Sequence, residues 1–135
     1  MRIAVALIFA IALHAQAPDS SESVRVFGGT GSDLLRRCSA VGALKAGDNV
    51  SPQQLIEHSR HVGSCEGYIA GVNDMMMSHL ADTPKSTLKY CLPSGVEMDQ
   101  LQRVVKKWLE DNPSQLHLPA GVTVIRALIQ AFPCG

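Results

Sequence analysis

The sequence predicts an all-α domain, a compact bundle of about four helices stapled by two disulfides after a cleaved signal peptide. Three observations carry this. Apolar residues recur at intervals of three and four along most of the chain, the spacing that lines up one face of an α-helix. No alternation of apolar and polar residues longer than four positions interrupts them, so nothing asks for a strand. Cysteines stand at 38, 65, 91 and 134, all downstream of an export leader, and an even count in an exported chain implies two disulfides formed in an oxidising compartment.

The leader is expected over residues 1–17. Met1 and Arg2 give a minimal positive start, IAVALIFAIAL is an unbroken apolar run, and Ala15-Gln16-Ala17 has the small residues of a cleavage site. The run ends at His14 after eleven residues, well short of the roughly 20 that span a bilayer. Cleavage after Ala15 is the alternative to Ala17. Loss of Arg2 leaves one more acidic than basic residue in the mature chain, a balance that gives no footprint for nucleic acid or anionic lipid. Residues 18–31, PDSSESVRVFGGTG, read as a flexible lead-in with a few positions pinned to the domain of 32–135. FGGTGSD is not a phosphate loop, because its spacing differs from G-x-G-x-x-G and no β-α-β pattern surrounds it.

Ser32 or Asp33 can cap a first helix running from Leu34 to about Leu44, with Leu34, Leu35, Cys38 and Val41 on one face. Gly42, Gly47 and AGDNV then make a turn. Ser51-Pro52-Gln53-Gln54 starts a second helix with a serine cap, an early proline and a capping-box glutamine. It is expected to continue to about Leu80, with Gly63 as its one candidate kink. Gly67 and Gly71 lie one turn apart, which predicts a flat strip for a close-packed backbone. Pro84, Pro93 and Gly95 make the following segment extended. Met98, Leu101, Val104, Val105, Trp108 and Leu109 then define an amphipathic helix whose Gln102, Arg103, Lys106 and Lys107 face away. Asn112-Pro113 stops it. A last helix places Val124, Ile125, Leu128, Ala131 and Phe132 together before Pro133 halts it.

Chemistry has little support. His58, His61 and Cys65 fall at i, i+3 and i+7, which stacks two imidazoles and a thiol on one helix face, the arrangement for zinc, copper or an activated cysteine. A free thiolate is hard to keep among three other cysteines in an oxidising space, and no further ligands stand out, so a polar face beside a disulfide is favoured and no metal or cofactor is expected. Met75, Met76 and Met77 point in three directions and cannot converge on copper; they fill core. Asp74 has no second carboxylate at a useful spacing, and Ser64 and Ser94 lack a nucleophile elbow. No enzyme activity is expected. Sequence alone leaves three disulfide connectivities open. Helix geometry favours Cys91 with Cys134, because the last two helices run antiparallel and their outer ends meet. Cys38 then joins Cys65.

SDLLRRC, CEGYIAGVND, CLPSGVEMDQLQRVVKKWLEDNP and ALIQAFPC, in that order, resemble the Rap/Tai family, immunity proteins that protect bacteria from type VI secretion amidase toxins. The resemblance covers Gly31 to Cys134, and its most specific pieces are C-x-G-Y-I-x-G-V at 65–72, C-L-P-x-G-V at 91–96 and A-F-P-C at 131–134. It implies a periplasmic, helical, disulfide-bonded protein of a kind that often forms a homodimer, with no membrane attachment once its leader is gone. It also implies a protein partner, a cysteine amidase that cuts peptidoglycan peptides and whose active-site groove is occluded. The occluding loop corresponds to about Glu110–Pro119, with Asp111, Asn112, Pro113, Ser114, Gln115, Leu116 and His117 at its centre. The alternative is a periplasmic helical binding or chaperone-like envelope protein on the same scaffold without a cognate toxin.

Overall fold

The computed structural model describes residues 29–135; the expected leader, and the lead-in up to residue 28, lie outside them. Four helices follow in order: α1 Gly31–Cys38, α2 Pro52–Asp82, α3 Met98–Asp111 and α4 Ala120–Ala131. Every pair of them touches. Leu34, Ile69, Val105, Leu109, Val124 and Leu128 are fully buried between them, so one core serves the whole bundle.

α1 begins and ends earlier than the sequence suggests. Its cap is Thr30, not Ser32 or Asp33: the Thr30 hydroxyl accepts from the Asp33 amide, and the Asp33 carboxylate accepts from the Thr30 amide at 2.9 Å. This is a capping box, which satisfies two backbone donors at once. After Cys38 the chain tightens into turns closed by Val41 N–H to Cys38 O and Ala43 N–H to Ala40 O, both 3.0 Å. Gly42 follows at φ 73°, a backbone state that a helix cannot continue through. The Lys106 ammonium, expected to face away, instead donates to the Val41 carbonyl at 2.9 Å and brings a cation to the end of α1.

Ser51 caps α2 as expected, with Gln54 completing its capping box. The helix runs unbroken through Gly63. Its outer face departs from expectation: nothing lies within 4 Å of where a Cβ would stand on Gly63, Gly67 or Gly71. Among the described residues no backbone packs on the glycine strip, and Asp74, Met75 and Met77 are also exposed, so of the three methionines only Met76 fills the core.

In α3, Leu101, Val105, Trp108 and Leu109 are buried, but so is Gln102, at 3% exposure. Its amide reaches across to the Val62 carbonyl of α2 at 3.5 Å, so a polar residue fills the interhelical gap where its hydrogen bond is met. In α4 the buried positions are Ala120, Thr123, Val124, Ala127 and Leu128. Ala131 is exposed: it falls on the buried face by helix period, but it is the last residue of α4 and lines the open groove between α3 and α4.

Two disulfides staple the bundle, Cys38 to Cys65 and Cys91 to Cys134, across 27 and 43 positions of sequence. Both Cys38 and Cys65 are fully buried, whereas Cys91 is exposed. Loops of this length limit the unfolded chain by about 3–4 kcal/mol each in the chain-entropy treatment. Beside the second staple the Cys91 amide donates to the Phe132 carbonyl at 2.9 Å, which closes the extended connector onto the end of α4.

Candidate functional site

The segment between α3 and α4 is short, but the rest of the molecule holds it at several points. Asn112 ends α3, and its side-chain amide donates to the Trp108 carbonyl at 2.8 Å, satisfying a helix-end acceptor. Pro113–Gln115 forms a single 3-10 turn. The Gln115 side chain accepts from the Arg126 guanidinium of α4, and Leu116 packs against the core. The far side is gripped by the start of the described chain. Gly31 N–H donates to Leu118 O at 2.9 Å, Ser32 N–H to Leu116 O at 3.0 Å, and Ala120 N–H to Gly29 O at 3.0 Å. Thr30 and Pro119 form the isolated antiparallel bridge at the centre of this grip.

The seven residues singled out in this loop thus divide by role. Glu110 and Asp111, expected in the loop, are the last residues of α3; Asp111, Pro113, Ser114 and His117 are exposed. Asn112, Gln115 and Leu116 are half-buried and hold the loop to α3, α4 and the core. Asp111 also takes the Lys107 ammonium at 2.9 Å, and that pairing raises the lysine's pKa. Next to it, α3 and α4 enclose a shallow groove of about 440 Å³, floored by Trp108 and Ala127 and edged by Arg103 and Lys107. The Trp108 indole N–H is satisfied by Gln130 at 2.8 Å, so the tryptophan is locked as a wall of the groove. The sequence pattern missed Thr30, Gly31 and Arg126 as loop partners. The threonine-to-aspartate spacing of a capping box at 30–33 was the available signal.

The second constellation comes apart. Cys65 is bound to Cys38, and no cysteine is free, so His58 and His61 have no thiol to share. His61 Nε2 lies 3.2 Å from the Glu57 carboxylate on its own helix. Among the described residues no group of three or more histidine, cysteine, aspartate or glutamate side chains gathers where it could hold a metal.

Tyr68 and Tyr90 complete the electrostatic picture. Burial raises the pKa of both phenols, and Tyr90 donates to the Asn73 side chain at 3.0 Å. The Arg37 guanidinium lies 5.9 Å from the Tyr68 ring centre, within cation–π range. Tyr90 joins α2 to the connector, while the Tyr68 hydroxyl reaches Gly121 in the first turn of α4, beside the end of the loop.

The described residues thus form a disulfide-stapled helical bundle whose exposed loop is held by its neighbours. The family of Rap1a immunity proteins matches residues 30–134, nearly all of the described chain, and the chain belongs to that family. No curated protein and no solved structure matches it. Among the described residues no helix is long and apolar enough to cross a membrane.

Proposed function

We propose that the chain is a periplasmic immunity protein that binds a peptidoglycan amidase effector of type VI secretion and occludes its active-site groove, acting by contact and without catalysis. The observation that carries this reading is the loop itself. Asp111, Pro113, Ser114 and His117 are exposed on a segment whose other residues are committed to the scaffold. Such a loop has little conformational entropy left to lose on binding, so more of its contact energy becomes affinity. Two disulfides suit a protein that works in an oxidising compartment.

A homodimer fits the outer face of α2. Gly63, Gly67 and Gly71 leave helix backbone open there, where the helix of a second copy can approach closely.

The test is co-expression with cysteine amidases directed to the periplasm. The chain should prevent lysis by one of them and co-purify with it, and replacing Pro113, Ser114 and His117 together should abolish both. If no amidase is bound or neutralised, the amidase reading fails; if the triple replacement protects as well as the parent, the loop is not the contact.

A further inference from the structure

We propose that Gly29–Ser32 acts as a strap that sets the position of the 112–119 loop, and that Gly31 is its positioning residue. This rests on the reading of that loop as the effector contact. The strap touches the loop through three backbone hydrogen bonds, from Gly31 to Leu118, from Ser32 to Leu116 and from Ala120 to Gly29. All of them join parts of the chain far apart in sequence, so they add to the loop's own turn bonds, such as Gln115 N–H to Asn112 O and Leu118 N–H to Gln115 O, a hold that places the loop against α1.

Gly31 is the tightest point. It is buried at the first turn of α1 and does not have a positive φ, so its backbone conformation alone would accept any residue. What requires glycine is space. A Cβ at position 31 would stand 3.1 Å from the Leu116 Cα, 3.2 Å from the Leu116 carbonyl oxygen and 3.0 Å from the Thr123 methyl. The Thr123 side chain is held in place by its hydroxyl, which donates to the Ala120 carbonyl at 2.7 Å. Core walls of this kind yield poorly. The Leu116 backbone must therefore move by a few tenths of an ångström, which strains the bonds that fix Leu116 and Leu118. The strap is in turn fastened to α1 by the Thr30–Asp33 capping box, so the start of the mature domain and its contact surface form one mechanical unit.

The experiment uses the exported full chain and its variants Gly31→Ala, Thr123→Ser and Gly31→Ala with Thr123→Ser, read by amide hydrogen exchange and by protection of cells against a periplasmically directed cysteine amidase. Gly31→Ala is expected to speed exchange at Ser32, Gln115, Leu118 and Ala120 at least ten-fold, while Leu101, Val105 and Leu109 in α3 keep their rates. Such a local opening is distinct from a general loss of stability. Thr123→Ser alone keeps the hydroxyl and should not open these four amides relative to α3, although loss of a buried methyl lowers overall stability slightly. The double variant should remain open, because the clash with the Leu116 backbone survives removal of the threonine methyl. Unchanged exchange in Gly31→Ala, or closure restored in the double variant, would overturn the strap. If Gly31→Ala fails to accumulate, Thr30→Ala serves instead and should open the same four amides to a smaller degree; uniform acceleration along the whole chain would overturn the proposal. Opened amides with undiminished cell protection would uphold the strap while contradicting the loop as contact surface.

Discussion

Two connectors in this bundle join helices across exposed surface, and they are built in opposite ways. Residues 39–51, between α1 and α2, turn by means of glycines at φ 73° and 95°. Their bonds are mostly local, with the Lys106 ammonium on Ser39 and Val41 reaching in from another helix. Residues 112–119, between α3 and α4, are bonded to the strap and α4, and Leu116 packs on the core. Long-range contacts thus hold one connector along its whole length, whereas the other is held only at its start, by the Lys106 ammonium and the buried Val41, and is open from Gly42 to Asn49. A partner that needs fixed geometry can use only the first kind.

The largest way to strain this comparison is to remove the buried staple. Replacing Cys38 and Cys65 by alanine should cost about 3–4 kcal/mol of unfolding free energy, lowering the thermal midpoint by roughly 15–25 °C for a domain of this size. Because that disulfide closes the loop containing 39–51, amides there should open, while 112–119 keeps its protection below the melting point. Sub-global opening of both connectors together would show that they are not independent. The Cys91–Cys134 staple, whose Cys91 is exposed, should be reduced first by a mild thiol, which a timed alkylation map can follow.

A smaller effect is expected from Asn112→Ala. It deletes the bond to the Trp108 carbonyl and should cost about 1 kcal/mol, with amide exchange rising in 112–116 and not in 39–51. Lys106→Met is the mirror test. It takes the ammonium from the carbonyls of Ser39 and Val41, at a cost of about 0.5–1 kcal/mol, and should loosen 39–51 while leaving effector binding untouched.

The smallest effect comes from acid. Hydrogen bonds from the Thr30 amide and hydroxyl, helped by Arg36, hold the Asp33 carboxyl below its ordinary range. A carboxyl lowered in the folded state stabilises the fold above the pKa of a free aspartate, about 3.9, and that contribution fades as pH falls through the lower folded value. Exchange protection of Thr30 should therefore decline below about pH 4, and Asp33→Asn should flatten the profile. A decline of equal steepness in the asparagine variant would assign it to other carboxylates.

How much of this could be read in advance depended on whether the signal was local. Ser51 with Gln54 fixed the start of α2, and the repeat from Met98 to Leu109 fixed α3, since caps and apolar periods act within a few residues. The cysteine pairing followed from the antiparallel run of the last two helices. Gln102 was misplaced because its burial depends on a carbonyl of α2, and Lys106 because its partner lies at the end of α1. The glycine strip of α2 was legible as a strip, yet among the described residues no backbone covers it. In the candidate site, the position of the loop was legible, and the division between its presenting and anchoring residues was not. That division is made by Gly31, Ser32 and Arg126, two of them more than 80 positions away, and no periodicity links them.

The central claim is most directly tested by measuring inhibition of one neutralised amidase by two arginine substitutions, Ser114→Arg in the fixed connector and Ala46→Arg in the free one. Both positions are exposed, so both variants should melt within a few degrees of the parent. The account predicts that Ser114→Arg weakens inhibition at least a hundred-fold, whereas Ala46→Arg leaves it within two-fold. Equal inhibition by the two variants, or loss confined to Ala46→Arg, would contradict it.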